Sequence, residues 1–545
     1  PGTKMKKYFL AGLVSVFFLT ACNDDFLEKF PEDKISDANF WKTGADFKMY
    51  ASQFYPTLFD ARLAWYSLDN FSDNPVPSSR NAYTWGESPV PSSGGGWAKT
   101  DWLQIRRVNY ALDRIAGVPE DATLKLAHGE LRFFRAFYYF DKLKKFGEVP
   151  WIAKSLDTES EELNAPRDSR ETVVNNMLAD LDFAIENLPE TSGEDRLTKF
   201  AALNLKGDIA LYEGTFRKYH NAGANEELLR KSVAAYESII NSGRFAVWST
   251  GKPDKDYFDL FVQYELKGNS EGIFVQRFIT DKRMHNNVRQ LGEPYTGYSK
   301  DFVESYLCTD GLPISVSPLY KGDKNFADEF VNRDPRMEQS IYQAKRPYRI
   351  FDDGTTNYKA MPEFQNNYCP TSYYIIKGYS PYERDRLPST STTDDFVFRY
   401  GKVLISYAEA KAELNECTQD ILDKTVNKLR DRVGMPHLKT EVGFTDPAWP
   451  DWGMQISPLL NEIRRERRLE ICAEGNRWDD LVRWKAGKLL ENPKTIQGAK
   501  DPATNANRVL YPGYTARKWS DKLYLYPVPL QEITLNPQLK QNPGW

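Results

Sequence analysis

The chain has 545 residues, of which 41% are hydrophobic and 14% aromatic, and its formal net charge at pH 7 is −4. Acidic and basic residues are interspersed, so the sequence lacks the basic patch that binds nucleic acid, and no nucleic-acid partner is expected. Beyond the N-terminal region, no apolar run is long enough to cross a bilayer. The remaining length suits one large domain or two.

Residues 5–21 follow the pattern of a secretory signal peptide. Lys6 and Lys7 form a basic start, residues 8–18 form an apolar run, and residues 19–22 read Leu-Thr-Ala-Cys, which resembles the lipobox of bacterial lipoproteins. A buried helix is the alternative interpretation of the same run. The pattern predicts removal of residues 5–21 and lipidation of Cys22, where each buried methylene contributes ~0.8 kcal/mol to membrane attachment.

Apolar residues at helical spacing predict a series of helices along the chain. Thr43 is the predicted N-cap of an early helix, with Asp46 at its N3 position. Later helices are predicted at residues 105–115, 127–146, 171–188, 200–215, 227–241, 403–416 and 420–433.

Two of these helices resemble a tetratricopeptide pair. Residues 199–216 and 232–245 carry small residues at positions where two helices would approach each other. Such pairs stack on one another because neither helix buries its apolar face alone. The predicted fold class is therefore mainly α, with tetratricopeptide-like helical pairs as the scaffold and with long irregular loops and short strands carrying the ligand surface.

The densest block of charge lies at residues 457–487. A helix there places Glu462, Glu466, Glu470 and Glu474 four residues apart on one face, and like charges at this spacing destabilise an isolated helix. We therefore expect basic partners for this acidic row elsewhere in the fold.

A break is predicted within the same block at Gly475. Asn476 is the predicted N-cap of a second helical segment, with Asp479 at its N3 position and an end near Gly487.

Three motifs, in order along the chain, resemble those of the SusD/RagB family of nutrient-binding outer-membrane lipoproteins. They are LRFFRAFYYFDKLKKFGEVP at 131–150, ERRLEICAEGNRWDDLVRW at 466–484 and LYLYPVPLQEITLNPQLKQNPGW at 523–545. Together with the lipobox they cover nearly the whole chain, which disfavours the alternative of an ordinary charged surface helix. The resemblance implies that residues 22–545 form a single SusD-like domain. Its expected parts are helical pairs at about 36–242, a loop and strand insertion at about 243–400, and C-terminal helices with a tail at about 401–545.

The resemblance also implies a function. Members of the family are non-catalytic cell-surface proteins that capture an oligosaccharide and pass it to a SusC-type TonB-dependent transporter. Residues 23–25, Asn-Asp-Asp, resemble the acidic signal that directs such lipoproteins to the surface of the outer membrane in the Bacteroidetes. Two alternatives remain open, a peptide-binding member of the same family and a surface glycoside hydrolase.

Two regions outside the helical pattern are predicted to carry the ligand surface. Residues 60–101 are rich in Pro, Ser, Gly and aromatic residues, and residues 243–400 mix strand-like runs, such as 273–278, with irregular segments. Long loops are usually functional or disordered, and disordered segments are poor in aromatic residues.

A sugar ring has an apolar face and a rim of hydroxyls, so its receptor needs an aromatic platform with short polar groups around it. Glycines 94–96 are expected to allow close approach of the backbone. A structural role, in which a loop aromatic pins its loop to the body, is the alternative for each single residue. The candidate ligand-binding residues are Arg80, Asn81, Tyr83, Trp85, Trp97, Tyr295 and Tyr298.

The sequence offers little support for catalysis or for a cofactor. The histidines, His128, His220, His285 and His437, are scattered and form no metal-binding motif, so no metal is expected. The one G-x-S-x-G match, at 268–272, precedes a strand-like run instead of following one, which indicates a turn. A pair of catalytic carboxylates is defined by its spatial separation, so the sequence leaves glycoside hydrolysis open.

Four cysteines follow Cys22 without any C-x-x-C spacing. They allow three disulfide pairings, and the sequence does not choose among them. The favoured interpretation is free thiols, and not a zinc site, at Cys308, Cys369, Cys417 and Cys472.

Overall fold

The computed structural model describes residues 37–60, 65–193, 195–365 and 367–545. The predicted signal peptide at 5–21 and Cys22 lie outside the described residues. The fold is mainly α-helical, as predicted, and the strands among the described residues form four two-stranded pairs. Within the same ranges, no helix has the combination of length and apolar character that a membrane span needs.

The helices form three groups along the chain. The first group comprises Asp37–Phe40, Gly44–Ala51, Tyr55–Asp60, Lys99–Leu112, Ala122–Phe146, Arg170–Asn187, Lys199–His220 and Glu226–Asn241. The middle group is short and comprises Asp256–Leu260, Asn287–Gly292, Lys300–Glu304, Arg336–Ser340 and Glu383–Arg386. The third group comprises Tyr400–Glu413, Gln419–Lys424, Val426–Arg432, Pro458–Glu470, Arg477–Arg483 and Leu530–Leu535.

The strand pairs are all antiparallel and link distant parts of the chain. Each pair is short, so the strands serve as local ties between loops. They are Pro75–Pro77 with Thr296–Tyr298, Gly272–Gln276 with Asp395–Arg399, Arg349–Ile350 with Thr356–Asn357, and Gln497–Asp501 with Ala506–Val509.

The long helices pack side by side and bury one large apolar core between them. Each contacts its neighbour in chain order until Glu226–Asn241, which contacts the first helix of the third group across the middle region. The packing order is Lys99–Leu112, Ala122–Phe146, Arg170–Asn187, Lys199–His220, Glu226–Asn241, Tyr400–Glu413 and Pro458–Glu470.

The predicted tetratricopeptide-like pair is present, and a glycine decides how closely its helices approach. Gly207 faces the ring of Tyr236, and a Cβ atom at Gly207 would lie 2.5 Å from that ring. The Ser232 hydroxyl donates to the carbonyl of Gly207 at 3.0 Å, and the Tyr236 hydroxyl donates to Asp208 at 2.6 Å. The small residue therefore allows one helix to pack directly on the aromatic ring of the other.

The local signals for helix ends were only partly reliable. The helix Gly44–Ala51 begins after Thr43, whose backbone N–H donates to the Asp46 carboxylate at 2.7 Å, as the capping pattern predicted. The prediction of one helix at 420–433 was wrong, because the chain leaves helical geometry at Thr425. The Thr425 hydroxyl donates back to the carbonyl of Ile421 at 2.6 Å, a bond that competes with the helical pattern.

The predicted break in the charged block is present between Pro458–Glu470, which we call the signature helix, and Arg477–Arg483. Ala473 and Gly475 both have positive φ there, at 57° and 75°. Asn476 is the N-cap residue of the second segment, as predicted, but its side chain makes no capping hydrogen bond and its amide donates instead to the carbonyl of Glu474. The segment ends at Arg483, so the predicted end at Gly487 was wrong.

A distant carboxylate takes over the capping role. Asp69 accepts hydrogen bonds from the backbone N–H groups of Ala473 at 2.8 Å and Arg477 at 3.2 Å. Burial raises the pKa of Asp69 to about 6, against the effect of these two hydrogen bonds. Sequence spacing did not indicate this cap because Asp69 is 408 positions from Arg477.

Glu466 and Glu470 of the signature helix are buried and meet basic groups from other segments, as predicted, and Glu474 does so from a position just beyond the end of the helix. Glu470 accepts from Arg432 at 2.6 Å and from Arg399 at 2.9 Å. Glu474 pairs with Arg399 and Lys377, both at 2.6 Å. Burial by itself raises the pKa of Glu470, but the charges of these arginines and of Arg336 outweigh it and lower the pKa to about 2.

The middle region packs around a second core that is rich in tyrosine. This core also receives Leu469, near the end of the signature helix, and Cys472, two residues beyond it. Its fully buried aromatic residues include Tyr298, Phe302, Tyr306, Tyr342, Tyr373 and Tyr374.

Candidate functional site

The antiparallel pair Pro75–Pro77 and Thr296–Tyr298 joins the two loop regions that were predicted to carry the ligand surface. The N–H of Ser78, just after the first strand, donates to the carbonyl of Tyr295 at 2.8 Å. The Tyr511 hydroxyl donates to the carbonyl of Pro77 at 2.5 Å. Three segments that are far apart in sequence therefore meet at one place on the surface.

Trp85 lies at the centre of this place. Its ring makes edge contacts with Tyr511, at a centroid distance of 5.5 Å, and with Tyr514, at 5.0 Å. The Arg80 guanidinium lies 4.9 Å from the Trp85 ring and 4.3 Å from the Tyr514 ring. Its hydrogen bond with Glu87 raises the pKa of Arg80. The cation is therefore fixed against two aromatic faces.

Two further aromatic residues continue the surface beyond Ser78. Tyr295 is 51% exposed, and its ring meets Tyr368 edge to face at 5.3 Å. Tyr295 has a φ of 52°, a backbone conformation that is uncommon for a residue other than glycine. We call Arg80, Trp85, Tyr295, Tyr368 and Tyr514, together with the buried Tyr511 that packs against Trp85, the aromatic surface.

Asn81 lies beside this surface and holds its turn. The Asn81 side-chain oxygen accepts from the N–H of Thr84 at 3.1 Å, and its carbonyl accepts from the N–H of Trp85 at 3.2 Å. Asn81 therefore fixes the backbone that presents Trp85.

Two candidates from the sequence lie in the core and not on the surface. Trp97 is only 6% exposed and packs edge to face against Phe146 at 4.7 Å and Trp102 at 5.4 Å. Tyr298 is 1% exposed and stacks on Phe302 at 4.4 Å. The prediction that these rings face a ligand was wrong, because each has a buried aromatic neighbour that its loop position did not reveal.

Tyr83 and the three glycines also have structural contacts. The Tyr83 hydroxyl donates to the carbonyl of Leu523 at 2.8 Å, and its ring packs on Tyr526 at 4.5 Å. All three glycines at 94–96 have positive φ, and Gly96 faces Phe146. The close approach expected of these glycines is therefore made to the protein core.

Sequence reasoning missed Tyr368, Tyr511 and Tyr514. The segment 511–514 reads Tyr-Pro-Gly-Tyr, in which a turn dipeptide is flanked by aromatic residues. It was overlooked because it lies far along the chain from the two loop regions under consideration.

The remaining sequence motifs have structural explanations. Residues 268–272 form a turn before the strand Gly272–Gln276, as predicted, with the N–H of Gly272 donating to the carbonyl of Asn269. Cys308, Cys369, Cys417 and Cys472 are free thiols. Burial raises the pKa of Cys369 and of Cys417 to about 12. Over the described ranges, no three His, Cys, Asp or Glu side chains are grouped so as to hold a metal ion.

Comparison with known proteins gives the family. The model of the SusD family matches residues 259–545, which is more than half of the chain. The chain belongs to the SusD family. A second family model, described as starch-binding and associating with the outer membrane, matches residues 61–210.

Individual SusD-family proteins match over nearly the full length of the chain. SusD-like protein P38 of Formosa agariphila is 27% identical over 92% of this chain and 94% of its own. The starch-binding protein SusD of Bacteroides thetaiotaomicron is 24% identical over 99% of each chain. The crystal structure of a SusD-like carbohydrate-binding protein from Bacteroides fragilis has a TM-score of 0.69 and 22% identity, and covers 92% of this chain and all of its own.

Proposed function

We propose that this SusD-family protein is a non-catalytic receptor that captures an oligosaccharide at the aromatic surface and delivers it to a SusC-type TonB-dependent transporter in the outer membrane. The observation that carries the proposal is the group of half-buried Trp85, half-buried Arg80 and exposed Tyr514 on a base fixed by the strand pair Pro75–Pro77 and Thr296–Tyr298. Binding sites of this kind need rigid aromatic faces with polar groups beside them.

The physical chemistry of the surface favours a sugar. The C–H face of a pyranose ring can pack on an indole or phenol ring, while its hydroxyls bond to a guanidinium. Tyr514 is 39% exposed and Tyr295 is 51% exposed, so both offer ring surface to a ligand. Arg80 is held by Glu87 and is thus oriented before the ligand arrives, which reduces the ordering cost of binding.

The names of relatives support a glycan ligand. The Bacteroides thetaiotaomicron relative is named a starch-binding protein, and the Bacteroides fragilis structure is described as carbohydrate-binding. The family model that matches residues 61–210 is described as associating with the outer membrane. We infer the same class of ligand and the same membrane for this chain, with Cys22 as the lipidated residue.

The binding test is a glycan array followed by calorimetric titration of the best oligosaccharide. We expect Trp85→Ala to lower the affinity by more than about tenfold, the scale typical of a binding hot spot. Tyr382→Ala, at a 47% exposed tyrosine outside the aromatic surface, is the matched control and should bind as the wild type does.

Two other outcomes would redirect the proposal. Binding of a peptide library with no glycan bound would favour the peptide-binding alternative. Release of shorter sugars from the bound oligosaccharide by purified protein would favour a glycoside hydrolase.

Co-purification of a TonB-dependent transporter with the tagged protein tests the delivery step. If no such transporter co-purifies from membranes solubilised in mild detergent, that result would count against this partner.

A further inference from the structure

A second concavity lies beside the signature helix and is distinct from the aromatic surface. Its volume is about 270 Å³, well above the ~15 Å³ that one water molecule needs. Arg464, Arg465 and Arg468 of the signature helix line one side. The loop with Trp449 and Trp452 lines another. We call this cavity the tryptophan pocket.

The two indole rings of the tryptophan pocket are fixed by hydrogen bonds to the signature helix. The indole N–H of Trp449 donates to the Glu462 carboxylate at 2.7 Å, and that of Trp452 donates to the Asn461 side-chain oxygen at 2.7 Å. Trp449 is half-buried and Trp452 is buried. The pocket thus has aromatic walls that do not need to be ordered when a ligand binds.

Each cation of the pocket lining is paired with a carboxylate, and the partners of Arg464 and Arg477, Glu413 and Asp73, lie outside the lining. Arg465 contacts Asp446 at 2.5 Å, Arg468 contacts Asp301 at 2.7 Å, and Lys494 contacts Glu304 at 2.5 Å. Since each cation has a carboxylate partner, the lining presents no unpaired cation to attract an anion. Paired carboxylates and cations still accept and donate hydrogen bonds at their remaining positions, which suits a neutral ligand with many hydroxyls.

Two buried charged groups beside the pocket, those of Arg464 and Glu462, have atoms without a hydrogen-bond partner among the described residues. The Arg464 guanidinium lies between the rings of Trp452, at 4.6 Å, and Trp484, at 4.3 Å. Its Nη2 donates to Glu413, but its Nε and Nη1 have no acceptor among the described residues, although its side chain is fully buried. The second carboxylate oxygen of Glu462 likewise lacks a donor within the described ranges. Buried donors and acceptors are normally satisfied in folded proteins.

We propose that the tryptophan pocket binds one ring of a neutral saccharide, as a second subsite besides the aromatic surface. The inference rests on the proposed glycan-binding function and deepens it. The tryptophan pocket and the aromatic surface are connected through Asp73, which lies two residues before the strand Pro75–Pro77. Asp73 pairs with Arg468 at 3.2 Å and with Arg477 at 2.7 Å, and both arginines line the pocket.

The test is ¹⁹F NMR of protein labelled with 5-fluorotryptophan, with the Trp449 signal assigned from Trp449→Phe. The probes are the methyl glycosides of glucose, galactose, mannose and xylose, each added singly. We expect at least one probe to shift the Trp449 signal. Its affinity, measured by calorimetric titration, should fall by more than about tenfold in Trp449→Ala and stay unchanged in Trp85→Ala.

A second variant tests the same site without removing a buried side chain, whose loss could unfold the protein. Ala448→Trp adds a large side chain at an exposed position on the rim of the pocket, so it should block the probe without removing a buried side chain. Its melting temperature should equal that of the wild type. A Trp449 signal that still shifts in Ala448→Trp would overturn the assignment of the site.

The outcomes separate this inference from the proposed function. If no probe shifts the Trp449 or Trp452 signal while Trp85-dependent oligosaccharide binding persists, the second subsite is refuted and the proposed function stands. If the wild type binds no glycan by either method, the proposed function fails. Stronger shifts with sodium glucuronate or sodium sulfate than with every methyl glycoside would show that the neutral class is wrong.

Discussion

Arg399 and Glu470 form a buried ion pair in which Nη1 of Arg399 lies 2.9 Å from Oε1 of Glu470. The two residues are 71 positions apart. Arg399 ends the strand Asp395–Arg399, and Glu470 ends the signature helix, so the pair ties the middle region to the C-terminal helices. The same guanidinium also contacts Glu271 and Glu474, which makes it the centre of a charged network.

Removal of Glu470 should destabilise the fold without altering the ligand surface. In Glu470→Ala, the charges of Arg399 and Arg432 remain buried without this partner, and loss of one member of such a pair costs about 3–5 kcal/mol. We expect a clearly lower melting temperature by circular dichroism and unchanged affinity of the folded protein. Glu227→Ala, at an exposed glutamate paired with Lys231, is the control and should melt as the wild type does. Normal stability with lost binding would contradict a structural role.

The same charged network predicts that the fold becomes less stable as the pH falls. The folded-state pKa of Glu470 is about 2, below its ordinary value of 4.5. Because the folded state holds the proton less tightly, ionised Glu470 stabilises the fold above pH 4.5, and this contribution is lost as the pH falls towards 2. The difference in melting temperature between the wild type and Glu470→Gln should therefore shrink between about pH 6 and about pH 2. A constant difference across that range would argue against the lowered pKa.

Trp97 and Trp85 should behave oppositely on truncation. Trp97→Ala leaves a cavity against Phe146 and Trp102, so we expect the free energy of unfolding to fall by about 3–5 kcal/mol. Trp85→Ala should weaken oligosaccharide binding with a much smaller change in melting temperature. Parallel melts and calorimetric titrations check both. A stable Trp97→Ala protein that has lost its ligand would return Trp97 to the binding surface.

Gly207→Ala should separate two helices of the scaffold. The new methyl group would lie 2.5 Å from the Tyr236 ring, and overpacking of this kind costs about 1–3 kcal/mol. We expect a lower melting temperature although alanine is the better helix former. Gly117→Ala is the matched control, because an added Cβ there meets no atom of the described residues within 4 Å. Equal melting temperatures for the two variants would show that the helices adjust without cost.

Cys22→Ala should release the protein from the membrane. The expected reason is the loss of acyl chains, each of whose buried methylenes contributes ~0.8 kcal/mol to attachment. Fractionation of cells that lack the partner transporter measures this, since the transporter could retain the variant indirectly. Recovery of Cys22→Ala in the outer-membrane fraction of such cells would contradict lipidation at this residue.

The sequence by itself determined the helical scaffold. It also showed that the acidic row from Glu462 to Glu474 needs basic partners. Apolar residues recur with the helical period through residues 127–146 and 200–215, and this period depends only on neighbours a few positions away. The same holds for the break at Gly475, where a glycine with positive φ separates two helices. The row from Glu462 to Glu474 required basic partners whatever their source, because like charges on one helix face repel each other.

Only the tertiary structure decided which aromatic residues face solvent. Trp85 and Trp97 have the same side chain in the same loop, yet Trp97 meets Phe146 and Trp85 meets Tyr514. Each contact joins residues far apart in sequence, so no local pattern distinguishes a core ring from a surface ring. The identity of the partners of Glu470 has the same explanation, because Arg399 reaches it through the pairing of the strand Asp395–Arg399 with Gly272–Gln276. Burial is a property of these long-range contacts, whereas helical period is a property of the local chain.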